Sequence, residues 1–329
     1  MSRIFVTGAS GFIGGALAGR LLERGDEVVA LARSDAAAET IAAHGVTEVV
    51  RGDVLDEDSL TRAMSGCDAA FHVAGVNSHC PQDPAVLLRV NVEGPVNAVR
   101  AAERAGLRRL VYTSSAASVG EAPGTVGDET TAHRGWYLSA YDRSKHEGEQ
   151  AALAEARRAG VELVAINPSS VQGPGRSSGN GKILIDYLNG KLPVFVDTHI
   201  SVVDVDDCVE GHLLAAEHGR PGGRYVLNGA TVTSADALEV VSELSGVRPK
   251  VRILPAPIIR TAAAAAEAVY RLRGQVPSLC RARIRTLLHG HRYDGSLAER
   301  ELGLDYTPFE ETFARTIDWA VETLSLIHI

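Results

Sequence analysis

The stretch VTGASGFIGG, residues 6–15, narrows the fold of this chain more than any other. Its glycines Gly8, Gly11 and Gly14 fall three residues apart, directly after the apolar run Ile4-Phe5-Val6 and at the start of an amphipathic pattern over residues 12–24. A strand that turns tightly into a helix leaves backbone N–H groups free at the positive helix end, and that geometry holds a pyrophosphate. Glycine permits the turn, lets the backbone approach the ligand and packs the helix close to the sheet. The spacing is GxxGxxG rather than GxGxxG. A plain strand–helix turn is the competing reading, and the strand before and helix after favour a phosphate loop.

Strand-like apolar runs alternate with helical patterns through the first half. The strands are expected at residues 3–7, 27–32, 48–51, 69–73, 109–113 and 162–166, with amphipathic stretches at 12–24, 87–105 and 140–159. Strands with little internal alternation, separated by helices, predict a parallel sheet covered on both faces. Right-handed crossovers then make it doubly wound. A length of 329 residues suits one large α/β unit with an appendage. The loop GPGRSSGNGK (173–182) marks a change of pattern, and residues 171–329 are read as mainly a smaller lobe, with some segments returning to the domain of residues 1–170. An amphipathic helix is expected near residues 310–323, and the last residues, LSLIHI, follow as a tail without a role.

Hydrophobic residues at 45% and charged ones at 22% describe a globular chain, and a net charge of −8 gives no expectation of nucleic-acid binding. No uncharged apolar run reaches the ~20 residues of a membrane span, and no export signal opens the chain. Cys67, Cys80, Cys208 and Cys280 lie far apart without CxxC spacing, so neither a disulfide nor a zinc site is expected and a reducing cytoplasm fits. Among the eleven histidines, His72 reads as a core residue. The adjacent His79 and Cys80 lack partners at ligand spacing, so no metal is assigned. The basic tract Arg271, Arg273, Arg281, Arg283, Arg285, Arg292 reads as a solvated face.

Two segments carry chemistry. YTSSAAS (112–118) closes the fifth strand and YDRSK (141–145) opens a helix. Tyr141 and Lys145 are i and i+4 and share a helix face. An ammonium near a phenol lowers the phenol's pKa. A Ser115 hydroxyl at the carboxyl end of a central strand can orient a substrate oxygen against that phenol. Together they suit proton transfer to or from a carbonyl–alcohol pair beside a nicotinamide. At the second strand's end, where an acid would meet a ribose hydroxyl, stands Arg33-Ser34. An arginine fork matches a 2′-phosphate, so NADP(H) is expected over NAD(H). The competing reading is a surface arginine.

The pieces TGASGFIG, RGDV, FHVAG, RVNVEG, VYTSSA, YDRSK and NPSSVQGPG together resemble an extended short-chain dehydrogenase/reductase of the NAD(P)-dependent epimerase/dehydratase superfamily. VDTHISVVDVDDCVEGHLLA extends the likeness over most of the chain. The resemblance implies a Rossmann domain with a smaller C-terminal substrate lobe. It implies that Gly8, Ser10, Gly11, Phe12, Ile13 and Gly14 cradle the cofactor and that Asp53 and Val54 meet its adenine. Ala74, Gly75 and Thr113 would line it, and Pro168 and Val171 would lie near the nicotinamide. Tyr141 would be the acid/base, and Lys145 would also hold the nicotinamide ribose. Ser115 matches the catalytic serine better than Ser114, and Asn91 matches a recurring asparagine with a structural reading. The family also implies a homodimer and a small carbonyl or alcohol substrate.

In AINPSSVQGPG, Val164 stands where sugar-nucleotide epimerases carry an arginine, and Asn167-Pro168 follows. That resembles the dihydroflavonol-reductase and 3β-hydroxysteroid-dehydrogenase branch, and also the hopanoid-associated sugar epimerases. Asp204 replaces a common histidine, and Asp206-Asp207 are expected to cap the next helix. His133 and Trp136 are pocket candidates, as are residues 179–184 and 195–199. Three functions stay open: a carbonyl reductase or alcohol dehydrogenase for a medium-sized apolar or polycyclic substrate, a sugar-nucleotide epimerase or dehydratase on bound NAD, and a dinucleotide-sensing protein without turnover.

Overall fold

The computed structural model describes residues 1–273 and 280–324. Six strands come from the first half: β1 (Arg3–Thr7), β2 (Glu27–Ala32), β3 (Glu48–Arg51), β4 (Ala69–His72), β5 (Arg109–Thr113) and β6 (Glu162–Pro168). Three short strands follow, β7 (Ser170–Gln172), β8 (Val194–Val196) and β9 (His199–Asp204), and then β10 (Arg224–Leu227) rejoins the first group. The central sheet runs β10-β6-β5-β4-β1-β2-β3 with parallel neighbours throughout. Successive side chains of a strand face opposite ways. Ile4 and Val6 therefore join the core on one face with Leu17, Ile41 and Val209, while Phe5 joins Leu60, Val99 and Leu153 on the other. The sheet is doubly wound, as expected, and its strand order reverses between β1 and β4, where such sheets bind ligands.

Two helices escaped the pattern reading because they are short. Asp35–Ala43 is capped by Ser34, whose hydroxyl accepts from the Ala37 amide, and Glu57–Met64 is capped by Asp56. The expected long helix over 87–105 is helical throughout, but not α-helical throughout. An α-turn at Pro84–Leu88 leads through a π-helical turn, Arg89–Glu93, into the helix Gly94–Ala105. Asn91 sits in that π-turn, a form of helix that recurs at functional sites.

The smaller lobe holds β11 (Ala230–Thr233) paired with β9, whose other edge pairs with β7, and β12 (Arg252–Leu254) paired with β8. Its core gathers Leu184, Tyr187, Val202, Val241, Phe309 and Phe313 around the helices Gly181–Leu188, Ser234–Ser245 and Phe309–Leu324. The tail residues 325–329 lie outside the described residues. Among the described residues no helix is long and apolar enough to cross a membrane.

Two expectations need correction. Cys80 and Cys280 form a disulfide with Cα atoms 5.9 Å apart, across 200 residues of chain. Spacing cannot show a pair that only the fold brings together. The argument for a reducing compartment drawn from that spacing therefore loses its basis. The helix Val205–His218 is capped by Asp204, which accepts from the Asp206 amide, not by the two acids after it. Asp207 instead accepts from the amide and hydroxyl of Thr307.

The helix Ala140–Ala159 comes so close to the π-turn that a Cβ on Gly148 would lie 2.0 Å from the Asn91 carbonyl oxygen. Gly148→Ala is expected to cost about 2–4 kcal/mol of unfolding free energy, since neither backbone can yield cheaply. Gly19→Ala, in a helix with open space at that point, gains up to ~1 kcal/mol. Urea unfolding of the two variants checks the contrast.

Candidate active site

The glycine turn is built from close backbone contacts. Gly8 adopts φ +77°, and the Gly11 amide donates to its carbonyl at 2.8 Å. A Cβ on Gly14 would lie 2.2 Å from the Gly8 oxygen, and one on Gly8 would lie 2.7 Å from the Ala74 nitrogen. The helix Phe12–Glu23 has no side-chain cap and no acid in its first turn. Its first amides therefore remain available to an anion. Ser10 and Gly11 are exposed, and Phe12 and Ile13 are half-buried. Opposite them, the Thr7 hydroxyl accepts from the Val73 and Ala74 amides. This crevice brings together Gly8, Ser10, Gly11, Phe12, Ile13, Gly14, Ala74 and Gly75, and its lack of side chains fits a dinucleotide. Asp53 accepts from the Leu55 amide, and Val54 is buried against the neighbouring core. Ser34 is spent on its helix cap. Arg33 is exposed, and no carboxylate pairs with it among the described residues, while Asp35 pairs with Arg51 at 3.3 Å.

Tyr141 and Lys145 reach the carboxyl edge of the sheet because Ser139 caps their helix, accepting from the Asp142 amide at 3.2 Å. Lys145 Nζ donates to the Thr113 carbonyl at 2.9 Å and lies 5.3 Å from the Tyr112 ring centre. A Cβ on Gly75 would come 3.4 Å from that ammonium, so glycine keeps it open to the crevice. The Thr113 hydroxyl is turned to His212 at 2.7 Å, away from the crevice. Asn91 joins these parts: its side-chain oxygen accepts from the Val76 amide, and its amide donates to the Val76 carbonyl and the Ser144 hydroxyl.

The electrostatics differ from the expected phenolate. Burial pushes Tyr141 up to about 12, opposed by the Ser115 hydroxyl beside it. Lys145 is drawn down to about 8 by burial, with Glu149 opposing. The ammonium donates to the Thr113 carbonyl, and burial decides the phenol's state. The two serines separate: Ser115 stands against Tyr141, and Ser114 against Tyr112. His72, with Nδ1 3.1 Å from the Thr7 hydroxyl and pKa lowered to about 3 by burial, is the core residue anticipated.

A cavity of about 490 Å³ opens between Ser115, Tyr141, Ile13, Pro168 and Val171. Residues from distant segments complete it. His79 meets the Tyr141 ring edge-on at 5.1 Å, and the Arg176 guanidinium stands 5.1 Å from the Phe12 ring centre. Arg283 lines the wall, so the basic tract is not wholly a solvated face; the Arg271 side chain lies outside the description. No local pattern marks Arg176 or Arg283. His133 and Trp136 are not in the wall: His133 packs on His146 at 4.1 Å, and Trp136 is exposed beneath Arg134. Glu121, held down to about 2 by His289 and His291, forms a cluster with them that composition does not reveal.

The model of the NAD dependent epimerase/dehydratase family matches residues 4–228. The chain is 32% identical over 326 residues to Sterol demethylase protein B of Methylococcus capsulatus, covering 95% of this chain and 97% of that one. It is 32% identical over 312 residues to the 4-hydroxy-2-methyl-3-oxo-4-farnesyl-3,4-dihydroquinoline-1-oxide ketoreductase of Stigmatella aurantiaca, covering 92% and 91%. The crystal structure of gox2253 superposes with a TM-score of 0.84 at 32% identity, covering 98% of each chain.

Asn91→Leu keeps the side chain's bulk but leaves the Val76 amide and carbonyl unpaired. It is expected to lower the unfolding free energy by about 2–4 kcal/mol, measured by thermal and urea unfolding.

Proposed function

The chain belongs to the NAD dependent epimerase/dehydratase family, and on that premise we propose that it is an NADP(H)-dependent oxidoreductase interconverting a ketone or aldehyde with an alcohol. One observation carries the reading: Ser115 and Tyr141 share a buried cavity whose floor meets the glycine crevice through Ile13, with Lys145 beneath. The amides of Phe12 and Ile13 would hold the diphosphate, Lys145 the nicotinamide ribose, and Arg33 the 2′-phosphate. The bound dinucleotide supplies hydride. Ser115 orients the carbonyl oxygen, and Tyr141 gives that oxygen its phenolic proton as the new C–H bond forms. With burial raising the phenol's pKa to about 12, Tyr141 is protonated at neutral pH and can give its proton in reduction; oxidation of the alcohol returns the proton to the same oxygen. Arg33, unpaired among the described residues with no acid in its place, supports NADPH over NADH.

A ketone panel run with NADPH and with NADH tests this. Consumption of NADPH with the higher kcat/KM is the expected outcome. Tyr141→Phe should lower kcat by at least about a hundredfold while NADPH still binds. A protein that retains NAD on purification and converts UDP-sugars without net cofactor use would sink the proposal.

The pH dependence of kcat/KM reports the free enzyme. Burial lowers the Lys145 pKa to about 8, and Glu149 holds it from falling further. The ammonium is thus present below that pH and lost above it, so kcat/KM declines as pH rises through about 8. In Glu149→Gln the decline shifts to lower pH; an unmoved profile counts against Lys145 as the titrating group.

A further inference from the structure

We propose that the substrate of this site carries a hydrocarbon tail, which occupies a second chamber inside the C-terminal lobe. The inference rests on the reductase reading and names its substrate class. The chamber, of about 120 Å³, lies within the lobe's own apolar core. Its walls are Leu184, Phe195, Leu238, Val241, Phe309 and Phe313. Protein cores ordinarily close such spaces, because unfilled volume forfeits dispersion contacts. This one also adjoins the catalytic cavity: Ser170, Asn180, Ile183, Ile200 and Leu287 belong to the walls of both.

The polar groups around the chamber already have partners. At the junction, the Ser170 hydroxyl accepts from Gln172 Nε2 at 3.0 Å and from Asn180 Nδ2 at 2.9 Å. Deeper in, Tyr187 and Ser242 share a hydroxyl hydrogen bond of 2.6 Å, and the Ser234 hydroxyl donates to the Val196 carbonyl at 2.8 Å. A sugar or a nucleobase pushed into this space would lose its water and find its donors unpaired. A saturated or isoprenoid chain loses nothing there. The geometry therefore suits a molecule whose carbonyl lies at Ser115 and Tyr141 while its aliphatic end passes between Ser170 and Leu287.

Binding of a homologous series of 2-alkanones to the full chain, measured by calorimetry without turnover, tests the tail chamber. Each added methylene that enters the chamber should tighten Kd by about fourfold, up to the length that fills it. Val241→Phe and Ala237→Leu narrow the space and should bring the plateau at shorter chains; Phe313→Leu enlarges it and should extend the series. Melting temperature and NADPH affinity show that each variant is folded, and any one folded variant suffices. A wild-type series with Kd independent of length, or plateaus that do not move in the folded variants, overturns the tail chamber. Because binding is read without chemistry, a series that binds with this length dependence yet is never reduced by NADPH defeats the reductase reading instead and leaves the chamber standing.

Discussion

The approach of one helix to one turn of backbone governs the rest of the site. Gly148 presents no side chain to the Asn91 carbonyl, so the helix Ala140–Ala159 lies directly against the π-turn at Arg89–Glu93. That contact sets the depth at which Tyr141 and Lys145 meet the sheet. The same Asn91 then reaches, through its side chain, both the Val76 backbone and Ser144. The loop after β4 and the helix that carries Tyr141 and Lys145 are thereby tied to one amide, and the crevice and the cavity share a single reference point.

Charge inside the molecule is arranged along the same helix. Glu149, one turn beyond Lys145, is fully buried, accepts from Ser118 at 2.8 Å and forms an ion pair with Arg224 at 3.0 Å, with Asn167 against the same carboxylate. Those partners come from the turn after β5, from β6 and from β10. A buried carboxylate survives only when its oxygens are satisfied, so three strands must be in register before it can be. It is also the near negative charge that keeps Lys145 protonated. The cohesion of the sheet edge and the state of the ammonium thus depend on one side chain.

Glycine spacing, strand runs and the Tyr141–Lys145 pair were legible in the chain because each is local: a turn, a face and a helix period all repeat within a few residues. Asp35–Ala43 and Glu57–Met64 were missed because a helix of two turns barely registers a period. The cap of Val205–His218 was misplaced by two residues, since three acids stand near one helix start and only backbone geometry selects Asp204. The depressed phenol pKa inferred from i and i+4 spacing failed for another reason. Spacing gives proximity along a helix but not burial, and burial decides the phenol's state. Arg176 and Arg283 come to the cavity from segments far apart, where no periodicity links them. The wall of the second chamber belongs to the same class, built from β7, β8, β9 and four helices.

The bond between Cys80 and Cys280 divides the chain in a way that the two lobes do not. It closes a covalent ring that encloses Ser115, Tyr141 and Lys145 along with every wall of the tail chamber except Leu287, Phe309 and Phe313, while the glycine turn stays on the open arm before it. In the unfolded chain Ser115, Tyr141 and Lys145 therefore remain on a tether of limited reach, whereas the strand before the glycine turn is under no such constraint. The unfolded ensembles of the oxidised and reduced protein would then differ most along the ring and least along the arm that carries the glycine turn.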